Sequence, residues 1–107
     1  MSWKMYIDDE RFPKAEGFII VRSVAEAQSI ILTQGCPSFI SFDHDLGDQV
    51  PTGHDLVKWL VDEDLKQEGK FLPDNFTFNV HSANPVGRDN IISLFTSYLK
   101  FKGEKNG

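Results

Sequence analysis

Apolar positions along this chain fall into short runs and helical stripes, separated by polar breaks. Residues 3–7 form an apolar-rich run that stops at Asp8-Asp9 and predicts a first strand. Residues 8–16 are polar and contain Pro13, which predicts a loop. Residues 17–22, GFIIVR, are apolar and β-branched and predict a second strand. Ser23 with Glu26 matches a capping box: a serine oxygen takes one backbone N–H and a glutamate reaches back. Val24, Ala27, Ile30, Ile31 and Gln34 then follow helical spacing up to Gly35. Residues 38–42, SFISF, predict a third strand covered on both faces.

The segment 43–51, DHDLGDQVP, reads as a polar loop. Thr52 and Asp55 form a second capping-box candidate for a helix over 53–68, which Gly69 ends. Residues 75–80, NFTFNV, alternate apolar with polar and predict a fourth strand, less buried than the third. After HSANPVG at 81–87, the positions Ile91, Leu94, Phe95, Tyr98 and Leu99 give the cleanest amphipathic stripe of the chain. The tail GEKNG is polar and reads as a frayed end. The order β-β-α-β-α-β-α predicts an α/β fold: a single three-layer domain with a mostly parallel four-stranded sheet flanked by helices. The first link is short for a parallel crossover, so the second strand's pairing is the least constrained point.

A chain of 107 residues suits one domain that folds without metal or disulfide. Its single cysteine, Cys36, excludes an intrachain disulfide and fits a reducing compartment. The N-terminus has no apolar stretch of signal length, and no run reaches the ~18 residues of a membrane span. The expectation is a cytoplasmic protein with no membrane partner. The net charge of −5 disfavours long nucleic acid, which needs Lys and Arg against its phosphates. It leaves open a small phosphorylated substrate or an RNA end, above all with a divalent cation.

In open parallel sheets ligands bind beyond the carboxyl ends of the strands. Three predicted strands end in reactive polar residues: Asp8-Asp9, Asp43-His44-Asp45 and His81-Ser82. A parallel sheet brings these side by side. Clustered carboxylates need a compensating cation or shared protons, so Asp8, Asp9 and Asp43 are candidate ligands. Hard oxygen donors suit Mg²⁺ or Mn²⁺, while the histidines leave Zn²⁺ as a lesser choice. The alternative is that the acids cap turns and solvate loops. His44 and His81 are the natural general acid and base, with Asp43 and Asp45 beside them. His54 reads as peripheral. Asn84 with Pro85 opens the last helix, and Gly87 allows close backbone approach. Arg88, with the helix N-terminus, makes an anion site, or else it pairs with an acid such as Asp89.

These residues resemble response-regulator receiver domains. Asp8-Asp9, Asp43 and Ser82-Ala83 stand where receivers carry an acidic pair, a phosphoacceptor and a Thr/Ser-Ala. Asp45 competes with Asp43 for the second place, because its spacing from Gly53 is the better one. The departures matter as much. The chain stops one helix after the fourth strand, without the receivers' fifth strand and its lysine. The receivers' first helix is missing between Asp9 and Gly17. His44 and His81 are additions. That combination resembles the cyclic-phosphate-processing receiver domains, through DDER (8–11), SFDHDLG (41–47), TG (52–53) and HSANPVGR (81–88).

The resemblance implies a truncated receiver-like, flavodoxin-like fold and a phosphoesterase acting on cyclic phosphates, such as 2′,3′-cyclic ends of nucleotides or RNA. One histidine would activate water and the other protonate the leaving oxygen. Asp9 and Asp43 would hold a cation or orient the imidazoles. Ser82, Asn84, Arg88 and Arg11 would face the phosphate. The rival readings are a receiver phosphorylated on Asp43 and a noncatalytic module that binds a nucleotide, a metal or a partner.

Overall fold

The computed structural model describes residues 3–47 and 50–106, with side chains through residue 103. Asp48 and Gln49 of the 43–51 loop, and Gly107 of the tail, lie outside the described residues. The elements run β1 (Lys4–Ile7), β2 (Phe18–Val21), α1 (Val24–Gln34), β3 (Phe39–Phe42), α2 (Gly53–Lys66), β4 (Thr77–Val80) and α3 (Pro85–Asn106). This is the order expected from the hydrophobic pattern. The strands form one sheet in the order β2-β1-β3-β4, and every pairing is parallel, that of β2 with β1 included. The fourth strand is less buried than the third, as its alternation predicted.

The register sorts the strand residues into two faces. Met5 aligns with Ile19 and Ile40, and Ile7 with Val21 and Phe42. These residues, with Phe78 and Val80, make one apolar core with Ala27 and Ile31 of α1, Leu56 and Leu60 of α2, and Ile91 and Phe95 of α3. Helix α1 meets α2, and α2 meets α3. All three helices therefore lie on this one face, and the domain has two layers where the sequence suggested three. The physical reason is the direction of the crossovers. The connections from β2 to β3 and from β3 to β4 step across the sheet the same way, and right-handed crossovers of one direction share a face. Only the link from β1 to β2 steps back, and it carries no helix.

That link, residues 8–17, crosses the other face. Segment 11–15 lines a cavity there together with Tyr6, Phe18 and Phe39. Arg22 fastens it, because its guanidinium donates to the backbone carbonyls of Asp8 (3.0 Å) and Arg11 (2.6 Å) and lies over the Phe12 ring. The apolar character of β3 on both sides thus reflects helices beneath and an aromatic cluster above.

The caps hold with one difference. Thr52 and Asp55 make the reciprocal capping box at α2. Ser23 accepts from the Glu26 N–H, but Glu26 accepts from the Arg22 N–H (2.7 Å), so the α1 box reaches past the cap residue. The last helix does not stop at GEKNG, because α3 continues to Asn106. No helix among the described residues is long and apolar enough to cross a membrane.

Candidate functional site

Asp8 and Asp43 follow the last residues of the central strands β1 and β3, and His81 follows β4. Strand alternation gives Tyr6 and Asp8, Ser41 and Asp43, and Asn79 and His81 the same parity, toward the helix-free side. Backbone bonds extend the ladder: the Asp43 N–H donates to the Ile7 carbonyl, and the His81 N–H to that of Phe42. One potential ligand atom from each of Asp8, Asp43 and His81 lies within 4.8 Å of the others.

Asp8 is fully buried and holds four donors. Its Oδ1 accepts from the Glu10 (2.9 Å) and Arg11 (2.8 Å) N–H groups, a turn that DDER builds locally. Its Oδ2 accepts from Arg11 Nε (2.9 Å) and His81 Nε2 (3.0 Å). Burial pushes the Asp8 carboxyl up, but the two backbone donors and the Arg11 charge outweigh this and hold it below its ordinary range. Asp43 moves the opposite way. Burial and the Asp8 charge raise it, against Arg11 and His81. Burial lowers the His81 imidazole below its usual 6.5, opposed by Asp8. Two acids side by side with shifts of opposite sign share an environment rather than a common role.

His81 is locked on three sides. A carboxylate only accepts, so the bond to Asp8 places the proton on Nε2. The other nitrogen, Nδ1, then accepts from Ser41 Oγ at 2.7 Å. The ring stacks on Tyr6, with centroids 4.3 Å apart and planes 4° from parallel. Ser41, His81 and Asp8 therefore form an unbroken chain of hydrogen bonds. Sequence reasoning singled out His81 and Asp8 and passed over Ser41. The available signal was parity: Ser41 stands two positions before Asp43, on the same side of the strand.

Arg11 is the cation of the site. Half exposed, it bonds Asp8 and places Nη2 3.5 Å from Asp43 Oδ2. A cavity of about 380 Å³ opens over this group, lined by Asp8, Asp9, Arg11, Asp43, Asp45 and neighbouring loop residues.

His44 joins a different set. Its Nδ1–H donates to Asp45 Oδ1 (2.8 Å), and Asn84 Nδ2 donates to both Asp45 oxygens. Its ring lies against Gly87, where an added Cβ would sit 2.3 Å from His44 Cγ. Gly87 thus makes room for an imidazole, a use the sequence reading had given to a ligand. Among the described residues, the bonds of Asp8, Asp43 and His81 do not include His44. Asp45 is the link, since it lines the same cavity. Asn84 caps α3 as expected, its Oδ1 accepting from the Gly87 N–H (3.0 Å). Ser82 is pinned, because its Oγ accepts from the Asn84 N–H and bonds Asp43. Arg88 is exposed on the first turn of α3 and does not line the cavity; Arg11 does. His54 is lowered by burial and by Lys58, and it neighbours His44 rather than the acid cluster.

No curated protein and no solved structure matches the chain. A family model described as "Cyclic-phosphate processing Receiver domain" matches residues 3–97, a span that includes every residue of the cluster. With its four-stranded parallel sheet, three helices and strand-end acids, the chain belongs to the cyclic-phosphate processing Receiver domain family.

Proposed function

We propose that the chain is a phosphoesterase that opens cyclic phosphodiesters by hydrolysis, with His81 as the proton-transfer group. The observation that carries this reading is the Ser41–His81–Asp8 chain, whose Ser41 and His81 line a cavity together with Arg11, which also borders the acidic cavity. With Nε2–H committed to an ionised Asp8, His81 accepts a proton only at Nδ1, and that atom faces Ser41. Water attacking phosphorus gives its proton to Ser41 Oγ as Ser41 passes its own to His81. Asp8 then stabilises the imidazolium. Ser41 thus connects the base to its substrate. As the P–O bond to the leaving oxygen breaks, that oxygen takes a proton. His44, as its imidazolium, is the donor on the Asp45 side of the cavity: Asp45 holds Nδ1–H, and Nε2–H gives up its proton. This second assignment rests on Asp45 alone.

Arg11 faces the nonbridging oxygens, where charge develops. The cavity carries several acids against one arginine, which disfavours a bare phosphate. Asp8 and Asp43, with Asp9 on the rim, fit a hard divalent cation, Mg²⁺ or Mn²⁺ before Zn²⁺, because His81 Nε2 is already bonded to Asp8. Bound there, the ion would neutralise the phosphate, in competition with the Arg11 guanidinium.

The test is hydrolysis of 2′,3′-cyclic nucleotides and cyclic-ended RNA with Mg²⁺, Mn²⁺ or chelator. His81→Ala and Ser41→Ala should each lower turnover by ~10²- to 10⁴-fold with the fold retained by circular dichroism. Activity that survives both substitutions removes the proton path. His44→Gln tests the leaving-group acid separately. A wild-type chain inert under every metal condition ends the phosphoesterase reading.

A further inference from the structure

The helix-free face of the sheet holds a second cavity, of about 440 Å³, whose aromatic side takes no part in the phosphate chemistry. Its floor is aromatic: Tyr6, Phe18 and Phe39 stand on neighbouring strands, with centroids 6.0 Å apart in successive pairs. Asn79, on the exposed β4, adds an amide at the edge. Segment 11–15 roofs one side, so this is a concavity rather than a bare sheet face. His81 and Ser41 also line it, and Arg11 lines both this cavity and the acidic one.

A planar ring with polar edges fits such a place. Bases stack on aromatic side chains regardless of identity, and an amide can donate to and accept from a base edge. The volume lies within the range of small-molecule sites. A peptide helix would want an uninterrupted apolar stripe, which Ser41, Asn79 and Arg11 break. We infer that this cavity takes the base of a nucleoside phosphate whose phosphate sits at Arg11. The preferred substrate is then a nucleotide rather than a cyclic phosphate of a simple polyol. The inference rests on the phosphoesterase reading for its substrate, but its binding arm stands apart from turnover.

The experiment compares adenosine 2′,3′-cyclic phosphate with glycerol 1,2-cyclic phosphate. In amide NMR titrations both should perturb Arg11, and only the adenosine compound should shift Phe18, Phe39 and Asn79. Phe39→Ala should weaken the adenosine compound by about tenfold and shrink the ratio between the two affinities by a similar factor. Asn79→Ala, at an exposed position, repeats the test with little risk to folding. Unmoved Phe39 and Asn79 signals overturn the inference, as does an equal loss for both compounds. So does a dimer in sedimentation that Phe39→Ala dissociates, because a second copy then covers the face. If neither compound is hydrolysed but the adenosine shifts appear at Phe39, the base pocket stands and the catalytic reading falls.

Discussion

Asp8 and Asp64 are both carboxylates without solvent exposure, both held below the ordinary range, and both surrounded by four donors. They sit at opposite ends of the architecture, Asp8 where a strand ends and Asp64 near the end of α2. Asp64 accepts from the N–H groups of Phe71 (2.9 Å) and Leu72 (2.8 Å), from Tyr98 Oη and from Lys102 Nζ (3.1 Å). Lys102 is itself mostly buried, and among the described residues no second acid shares those donors. This acid ties α2, α3 and the 71–72 turn into one unit. After burial itself, it also helps push the half-buried Cys36 thiol up to about 12, which disfavours its thiolate form. Around Asp8, by contrast, the side-chain donors are a titratable imidazole and a half-exposed arginine, a second acid stands alongside, and a cavity opens above. Burial and a lowered carboxyl do not separate a structural acid from a functional one. The difference lies in whether the partners can change charge or move.

The comparison breaks first at Asp64. Asp64→Ala leaves two backbone donors, a tyrosine and a lysine without their acceptor, and should cost about 3 kcal/mol or more in urea unfolding. A loss below about 1 kcal/mol would make Asp64 dispensable and remove the contrast. Gly87→Ala comes next. Its Cβ would collide with the His44 ring, so either α3 or His44 shifts, at about 1–3 kcal/mol. The His44–Asp45 pair should be disturbed with it, visible as a changed His44 ring signal.

Asp43→Asn should act in the opposite direction. It removes a charge that burial and Asp8 disfavour, so the unfolding free energy should rise by about 1 kcal/mol while any turnover is lost. The sign follows from linkage. Folding raises Asp43 above 3.8, so its contribution is most favourable in acid and declines as pH rises through that window. Asp64 runs the other way: its contribution is complete above 3.8 and is lost as pH falls through its lowered folded value. Asp43→Asn should therefore flatten the stability loss on the alkaline side of 3.8, and Asp64→Asn the loss in acid.

The smallest effect is on His81. Its imidazole is lowered, so its share of stability is complete above 6.5 and fades as pH falls below that. Asp8→Asn removes the charge that opposes burial, and the His81 NMR titration should move lower still. A shift upward would mean that Asp8 does not hold the ring.

Much of this was legible in sequence because the signals were local. The helix caps at Ser23, Thr52 and Asn84, the stripe of α3 and the strand-end positions of Asp8, Asp43 and His81 all follow from neighbouring residues. Arg11 was named as a phosphate contact, but its bond to Asp8 needed the turn that DDER folds into. Asp64 was invisible, since one acid among VDEDLK looks like any solvated helix face until Tyr98 and Lys102 of α3 arrive. The layering was equally hidden, because it depends on the direction in which each crossover steps and not on any residue.

The amino-acid pattern alone fixed which segments become strands and helices, and that their carboxyl ends carry acids and imidazoles, because periodicity and capping act within a few residues. Only the folded sheet decided that Ser41 and Asp8 would hold the two nitrogens of one histidine, that His44 would turn toward Gly87, and that one aromatic face would stay free of helices. Those outcomes depend on strand order and register, which bring residues 40 and 73 positions apart into hydrogen-bonding distance.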